Sequence, residues 1–301
     1  MSNSSGVETL SRDMQELLHG FAQMSGLSPF DAELVKFTNN AVFRFPADGV
    51  VLRIAGSPTA RDRASKVVAV ARWLEDVNFP AVRLVRDAIQ PLHLGEHVAT
   101  LWQDVPSVKY QPNGADLGQL LKELHSLAPP NFSLPQWQPV AGIRSRLSTA
   151  DSLVSVEDIE FLHKKCDEME VAISEISYLL PIGPIHGDSF IGNLIPGDSG
   201  VVLCDFDSTS IGPREWDLIP TAVGHVRFDY EKDIQGPLAR SYGLDVMKWD
   251  GFDAFRNLRE LQLVTSVIPT LSHNPNIVAQ WRWRLQSFKR GARDVHWSPY
   301  R

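Results

Sequence analysis

Cysteine is scarce in this chain, with two in 301 residues. Cys166 and Cys204 lie far apart in sequence, and neither stands in a metal-ligand spacing. Long hydrophobic runs are missing as well: none approaches the roughly 18–20 residues that a membrane span needs. The opening MSNSSGVETL is polar and lacks the charged start and apolar stretch of a signal peptide. A soluble, cytoplasmic protein is therefore expected. No internal repeat appears, and no low-complexity tract beyond the first few residues. Positive charge is in deficit too, with a formal net charge of −7, which argues against nucleic acid as the main partner. The length permits one large domain or two modest ones with a sizeable core.

The remaining information concentrates in residues 184–217, PIHGDSFIGNLIPGDSGVVLCDFDSTSIGPREWD. An apolar approach, Ile182 to Ile185, enters a polar loop holding His186, Asp188 and Asn193. A second apolar run, Val201 to Cys204, stops abruptly on Asp205. Carboxylates placed where strands stop are held rigidly yet stay open to a ligand. Phosphoryl transfer needs an acid near the attacking hydroxyl and oxygen ligands for magnesium on the nucleotide phosphates. Asp188 suits the first role, and Asn193 with Asp205 the second. Alternation along Asp205-Phe206-Asp207 directs Asp207 to the side of Asp205, as a further metal-side carboxylate. Gly187 supplies backbone freedom at the bend.

His186-Gly187-Asp188, four residues, then Asn193, and an apolar strand ending in Asp205 resemble the catalytic region of the aminoglycoside phosphotransferase and choline kinase-like family. Gly212 and Asp217-Leu218 follow at the family's usual places. The resemblance covers about Asn39 to Asp217. It implies an α+β, bilobal, protein-kinase-like fold with a small antiparallel-sheet lobe and a larger, mainly helical one. It implies ATP and Mg2+ as the cofactors and a small-molecule hydroxyl as acceptor, with no nucleic acid or membrane partner. Asp188 becomes the catalytic base, His186 a loop-fixing residue, and Asn193, Asp205 and Asp207 the metal side. Gly212 and Asp217 are read as structural, turning the chain and capping the next helix.

Taken in order, residues 8–24 read as an amphipathic helix. Ala32 to Ile54 alternates and breaks at Pro46 to Gly49, a turn between two strands. The turn Asn39-Asn40 stands where kinases carry a glycine-rich loop, so Asn40 is a nucleotide-side candidate. Arg53 stands where the family places its phosphate-holding cation. The helix of about Arg61 to Val77 has Lys66 where an acid is usual. Either Asp62 substitutes, or Arg53 is held without an ion pair while Lys66 assists with phosphates. AVRLV reads as a strand and PLHLGEHVATLWQDV as a hairpin with its tip at Gly95-Glu96. His93 and His97 are surface hairpin residues in this reading. Gln103 to Pro106 reads as a hinge, where the resemblance places adenine against Gln103 and Val105. The expected lobes are 1–103 and 107–301, with the hinge at 104–106.

Further helices are expected at 115–127, near 141–149, at 156–178, after Asp217, at 251–272 and at 276–290. Between Asp205 and Glu260 stand eleven acids against seven Lys or Arg, whereas 261–301 holds six basic residues and only Asp294. The acids Asp229, Glu231 and Asp233 are acceptor-side candidates for an amino-bearing compound. An aminoglycoside-like or other antibiotic is the leading acceptor. A metabolic small-molecule kinase, or a catalytically silent nucleotide-binding protein, remains open beside it.

Overall fold

A computed structural model of the chain describes residues 10–37, 40–106, 108–228 and 230–300. In chain order the elements are α1 (Arg12–Met24), β1 (Glu33–Phe37), β2 (Asn40–Phe45), β3 (Val50–Ala55) and α2 (Pro58–Asp76). Then come β4 (Leu92–Leu94), β5 (His97–Gln103), α3 (Gly114–Ser126), α4 (Pro139–Ser148), α5 (Val156–Ser174) and β6 (Gly183–Ile185). The last are β7 (Leu194–Gly197), β8 (Gly200–Leu203), β9 (Ser210–Gly212), α6 (Ile219–Arg227), α7 (Gln235–Tyr242), α8 (Phe252–Thr265) and α9 (Pro275–Lys289). They divide into two compact units, Met1–Pro112 with Gly192–Thr209, and Asn113–Ile191 with Ser210–Arg301.

The first unit is built on a five-stranded antiparallel sheet in the order β1-β2-β3-β5-β4. Alternation in β2 buries Ala41, Phe43 and Phe45, and in β3 Leu52 and Ile54. Leu18 and Phe21 of α1 join that core, which removes the apolar stripe of α1 from water. Ser11 caps α1 through its hydroxyl, and Ser57 caps α2 with Pro58 in the first turn. Helix α2 thus starts three residues before Arg61, and it buries Val67, Val70, Ala71 and Leu74 as the periodicity requires. The AVRLV stretch forms isolated bridges instead of a strand: Ala81 pairs with Leu203 of the β7–β8 hairpin, and Leu84 with Trp102.

The second unit is mainly helical. Asn113 and Asp116 make a reciprocal capping box at the start of α3. Leu117, Leu120, Leu121 and Leu124 are buried along it. Helix α7 packs closely on α3, with glycines 114 and 118 facing its backbone. Strands β6 and β9 pair in register, Gly183 with Gly212 and Ile185 with Ser210. Aromatic residues fill the core around Phe255, with Trp137, Tyr178, Trp216 and Trp249 packed against its ring. Tyr230 and Trp283 stay exposed.

Candidate active site

The His186-Gly187-Asp188 turn is fixed in the second unit by a buried carboxylate. Asp217 accepts the N–H groups of His186 at 2.6 Å and Gly187 at 2.8 Å. His125 of α3 donates Nε2–H to Asp217 at 3.0 Å, and its Nδ1 meets the Tyr242 hydroxyl at 2.8 Å. Trp216 Nε1 donates to the Gly187 carbonyl at 3.0 Å, and Ser189 Oγ to the Asp217 carbonyl. Gly187 has φ 86°, the left-handed region that other residues enter at a cost. Burial alone would raise the Asp217 pKa. The His125 hydrogen bond, the charges of His125 and His186 and the Gly187 N–H outweigh it and hold the carboxyl below its usual range. Asp217 therefore clamps the turn instead of capping the next helix, whose first residues carry no side-chain cap.

The clamp leaves Asp188 outward, with its side chain 42% exposed. Its N–H meets His186 Nδ1 at 3.4 Å, and its Oδ1 accepts Nη2–H of Arg259 at 3.2 Å. Arg259 lies on α8, 71 positions along the chain. Nothing in the local sequence announces it.

In the first unit, Asp205 has φ 68°, strained backbone for a residue with a Cβ. The chain then makes a short 3-10 turn over Phe206–Ser208 instead of continuing as a strand. Even so, Asp205 and Asp207 reach the same cation. Arg53 Nη1 donates to Asp207 Oδ1 at 3.2 Å and Nη2 to Asp205 Oδ1 at 3.4 Å, and a second Asp207 oxygen also accepts Nη2. Burial works against the Arg53 charge, but the Asp207 hydrogen bond and the two carboxylate charges outweigh it and raise its pKa. The acid missing from α2 is thus supplied by the loop after β8. Lys66 of α2 donates to the carbonyls of Asp207 at 2.6 Å and Thr209 at 3.1 Å, which pins that loop to the helix. Burial, then the charge of Arg63, lowers the Lys66 pKa to about 8 despite Asp207. Asp62 is exposed and joins no ion pair among the described residues.

The other candidates are spread more widely. Asn193 is buried beside β7, and its carbonyl accepts the Cys204 N–H at 2.9 Å. Cys204 is half-buried, with its thiol pushed up to about 12 by burial and then by Asp205. Asn40 accepts the Gly56 N–H at 3.4 Å and lines a small hollow with Arg53, Ala64 and Thr100. Gln103 holds the Leu84 carbonyl at 3.0 Å, and its own N–H is taken by Arg83. Val105 is half-buried. Asp233 accepts the Gly236 N–H at 2.9 Å in the first turn of α7, and Glu231 is exposed. Asn39 and Asp229 lie outside the described residues.

A family model described as the phosphotransferase enzyme family matches residues 36–261. The chain belongs to that family. A curated relative, the aminoglycoside 3'-phosphotransferase of Escherichia coli, is 27% identical over 133 residues, 42% of this chain and 48% of that protein. The match thus spans about half the length of that relative. Among solved structures, the chain resembles the amicoumacin kinase hAmiN in complex with AMP-PNP, Ca2+ and Ami. The TM-score is 0.67 at 11% identity, covering 96% of this chain and 98% of that one. It also resembles the choline kinase LicA from Streptococcus pneumoniae, with TM-score 0.65 at 12% identity over 93% and 98% of the two chains. These likenesses establish the kinase-like α+β fold. No helix among the described residues is long and apolar enough to cross a membrane.

Proposed function

We propose that the protein transfers the γ-phosphate of ATP to a hydroxyl of a small molecule, with Mg2+ on the nucleotide phosphates. The observation that carries this reading is the convergence of Asp205 and Asp207 on Arg53, next to a family match that spans the whole motif region. Asn193, Asp205 and Asp207 offer hard oxygen donors, which suit Mg2+. Asp205 and Asp207 meet on one cation, the Arg53 guanidinium, and that paired negative charge is what would hold a divalent ion. Bound there, the metal neutralises phosphate charge. With the carboxylates on the ion, the Arg53 fork would be available to phosphate oxygens, a geometry a guanidinium matches with two N–H groups. Lys66, tied to two carbonyls, keeps the loop in place beside Arg53. The Val105 backbone and the Asn40 side chain serve the nucleotide.

Asp188 accepts the acceptor hydroxyl's hydrogen bond, orients its oxygen toward phosphorus and takes the proton late, as the new P–O bond forms. His186 and Asp217 hold the turn and exchange no proton with the acceptor. The acceptor class suggested by the E. coli relative is an aminoglycoside, and other hydroxylated antibiotics or metabolites share the required group. The test is a calorimetric titration of Mg-ATP into wild type, Asp205→Ala and Asn193→Ala. Asp205→Ala is expected to lose metal-dependent binding more severely, because a carboxylate neutralises charge and an amide does not. Metal-independent nucleotide binding by the wild type would count against the assignment.

A further inference from the structure

Within the second unit, the immediate surroundings of Asp188 carry the opposite sign from the acidic segment around Glu231 and Asp233. Arg259 of α8 divides its fork between Asp188 Oδ1 and Gln262 Oε1, each at 3.2 Å. Its side chain is 18% exposed. Arg146 of α4, a helix packed against α8, donates Nη2–H to Thr265 Oγ1 at 3.3 Å. The Arg146 Nε is buried without a hydrogen-bond partner, and no carboxylate among the described residues pairs with this arginine. Burial, and then the charge of Arg259, lowers the Arg146 pKa, so each guanidinium lies in the other's field.

The acids on neighbouring elements are committed elsewhere. Asp167 and Glu170 of α5 hold Arg144 at 2.6 and 2.9 Å. Glu260 of α8 is buried between Arg227 and Arg256. Two arginines against one carboxylate leave this corner with one positive charge in excess. A half-buried cation without a counter-ion is destabilising, and a guanidinium fork is shaped for a carboxylate or phosphate. We propose that Arg146 and Arg259 form an anion subsite, so that the acceptor bears a carboxylate or phosphate ester near the hydroxyl that is phosphorylated. The inference rests on the reading of Asp188 as the base and narrows its substrate class. The incoming anion anchors the acceptor and draws Arg259 off Asp188, which frees that carboxylate for the hydroxyl. An amino group elsewhere on the acceptor is compatible with this arrangement; an acceptor whose only charge is positive, as in a simple aminoglycoside, is not, so among the acceptors named above the subsite selects the anionic ones.

The test uses acceptors matched in shape and different in charge: glucuronate, glucose and glucosamine, then glycerate, glycerol and 3-amino-1,2-propanediol, with glucose 6-phosphate as the phosphate source. Each is assayed for phosphate transfer from Mg-ATP and for thermal stabilisation of the AMP-PNP complex, in wild type, Arg146→Gln and Arg146→Lys. The anionic member of each set is expected to be the better ligand. Arg146→Gln is expected to cut the anionic-over-neutral ratio of kcat/KM by about tenfold, the worth of one charge-assisted contact, with partial return in Arg146→Lys. Glucose 6-phosphate outranking glucuronate assigns the subsite to phosphate, and the reverse to carboxylate. A preference for the neutral or cationic members overturns the subsite while transfer itself stands. So does an equal loss of kcat for all acceptors in Arg146→Gln, which would place the arginine on the transferring phosphoryl group. Nucleotide binding with neither transfer to nor stabilisation by any anion also overturns it. Failure to bind Mg-ATP at all would instead strike at the phosphotransferase reading.

Discussion

Asp217 is fully buried and satisfies three donors, two of them on the His186-Gly187 backbone. Replacing it by Asn keeps the shape but removes the charge and turns an N–H2 toward groups that also donate. Asp217→Asn is expected to cost about 2–4 kcal/mol of stability, the range for breaking a buried charged network. Because its folded pKa lies below the ordinary 3.8, the unfolded chain binds the extra proton in acid. The stability that Asp217 contributes is therefore present above the unfolded value and is lost as pH falls through the folded one. Urea titrations at pH 7 and pH 3 check this: the gap between wild type and variant should narrow in acid, and a constant gap would contradict it. The HGD motif and its distances to Asn193 and Asp205 were legible because the loop is local in sequence. The Asp217 clamp was not, since its donors lie 30 and 31 positions back and a buried Asp next to a helix reads like a cap. Arg146 and Arg259 left no sign, being ordinary charges on amphipathic helices.

Elements with strong periodicity were readable: α1, α2, α3 and the β4–β5 hairpin, whose Leu94–His97 register leaves a Gly95-Glu96 turn. Helix α7 was not anticipated. Its sequence, QGPLARSY, carries Gly236 and Pro237 in the first turn and looks like a loop. Packing on α3 overrides that weak propensity. The approach is close enough that a Cβ on Gly114 would overlap the Ile234 carbonyl, with Leu238 N at 3.0 Å. Gly114→Ala should accordingly destabilise by about 1–3 kcal/mol although alanine is the better helix former, because overpacking against backbone cannot relax cheaply. Thermal unfolding of this variant beside Gly142→Ala, where only an arginine tip lies near at 4.0 Å, gives the comparison. Equal melting temperatures would contradict the close packing. The AVRLV stretch failed as a strand for a related reason: apolar β-branched content marks burial, but pairing partners decide whether a ladder forms. Here Ala81 and Leu84 each find a single bridge.

At the scale of the molecule, a kinase-like α+β fold was readable because family motifs fall in order from about Asn39 to Asp217, inside residues 36–261 that the family model matches. Chain order alone divides the sequence near residues 104–106. Contacts assign 192–209 to the first unit, since the β7–β8 hairpin pairs with residues 81–82. The same contacts place Asp205 and Asp207 in one unit with Arg53 and Lys66, whereas Asp188 and Arg259 belong to the other. The account accordingly separates nucleotide and metal binding from base chemistry, and Asp188→Asn tests that separation most directly. Single-turnover transfer from Mg-ATP to the best acceptor, with Mg-ATP affinity measured by calorimetry, is the decisive pair of readings. The account predicts at least about a 100-fold loss of the transfer rate, some 2.7 kcal/mol on the barrier, with nucleotide affinity within about twofold of wild type. A variant that keeps near-normal transfer, or that loses Mg-ATP binding in step with transfer, would contradict it.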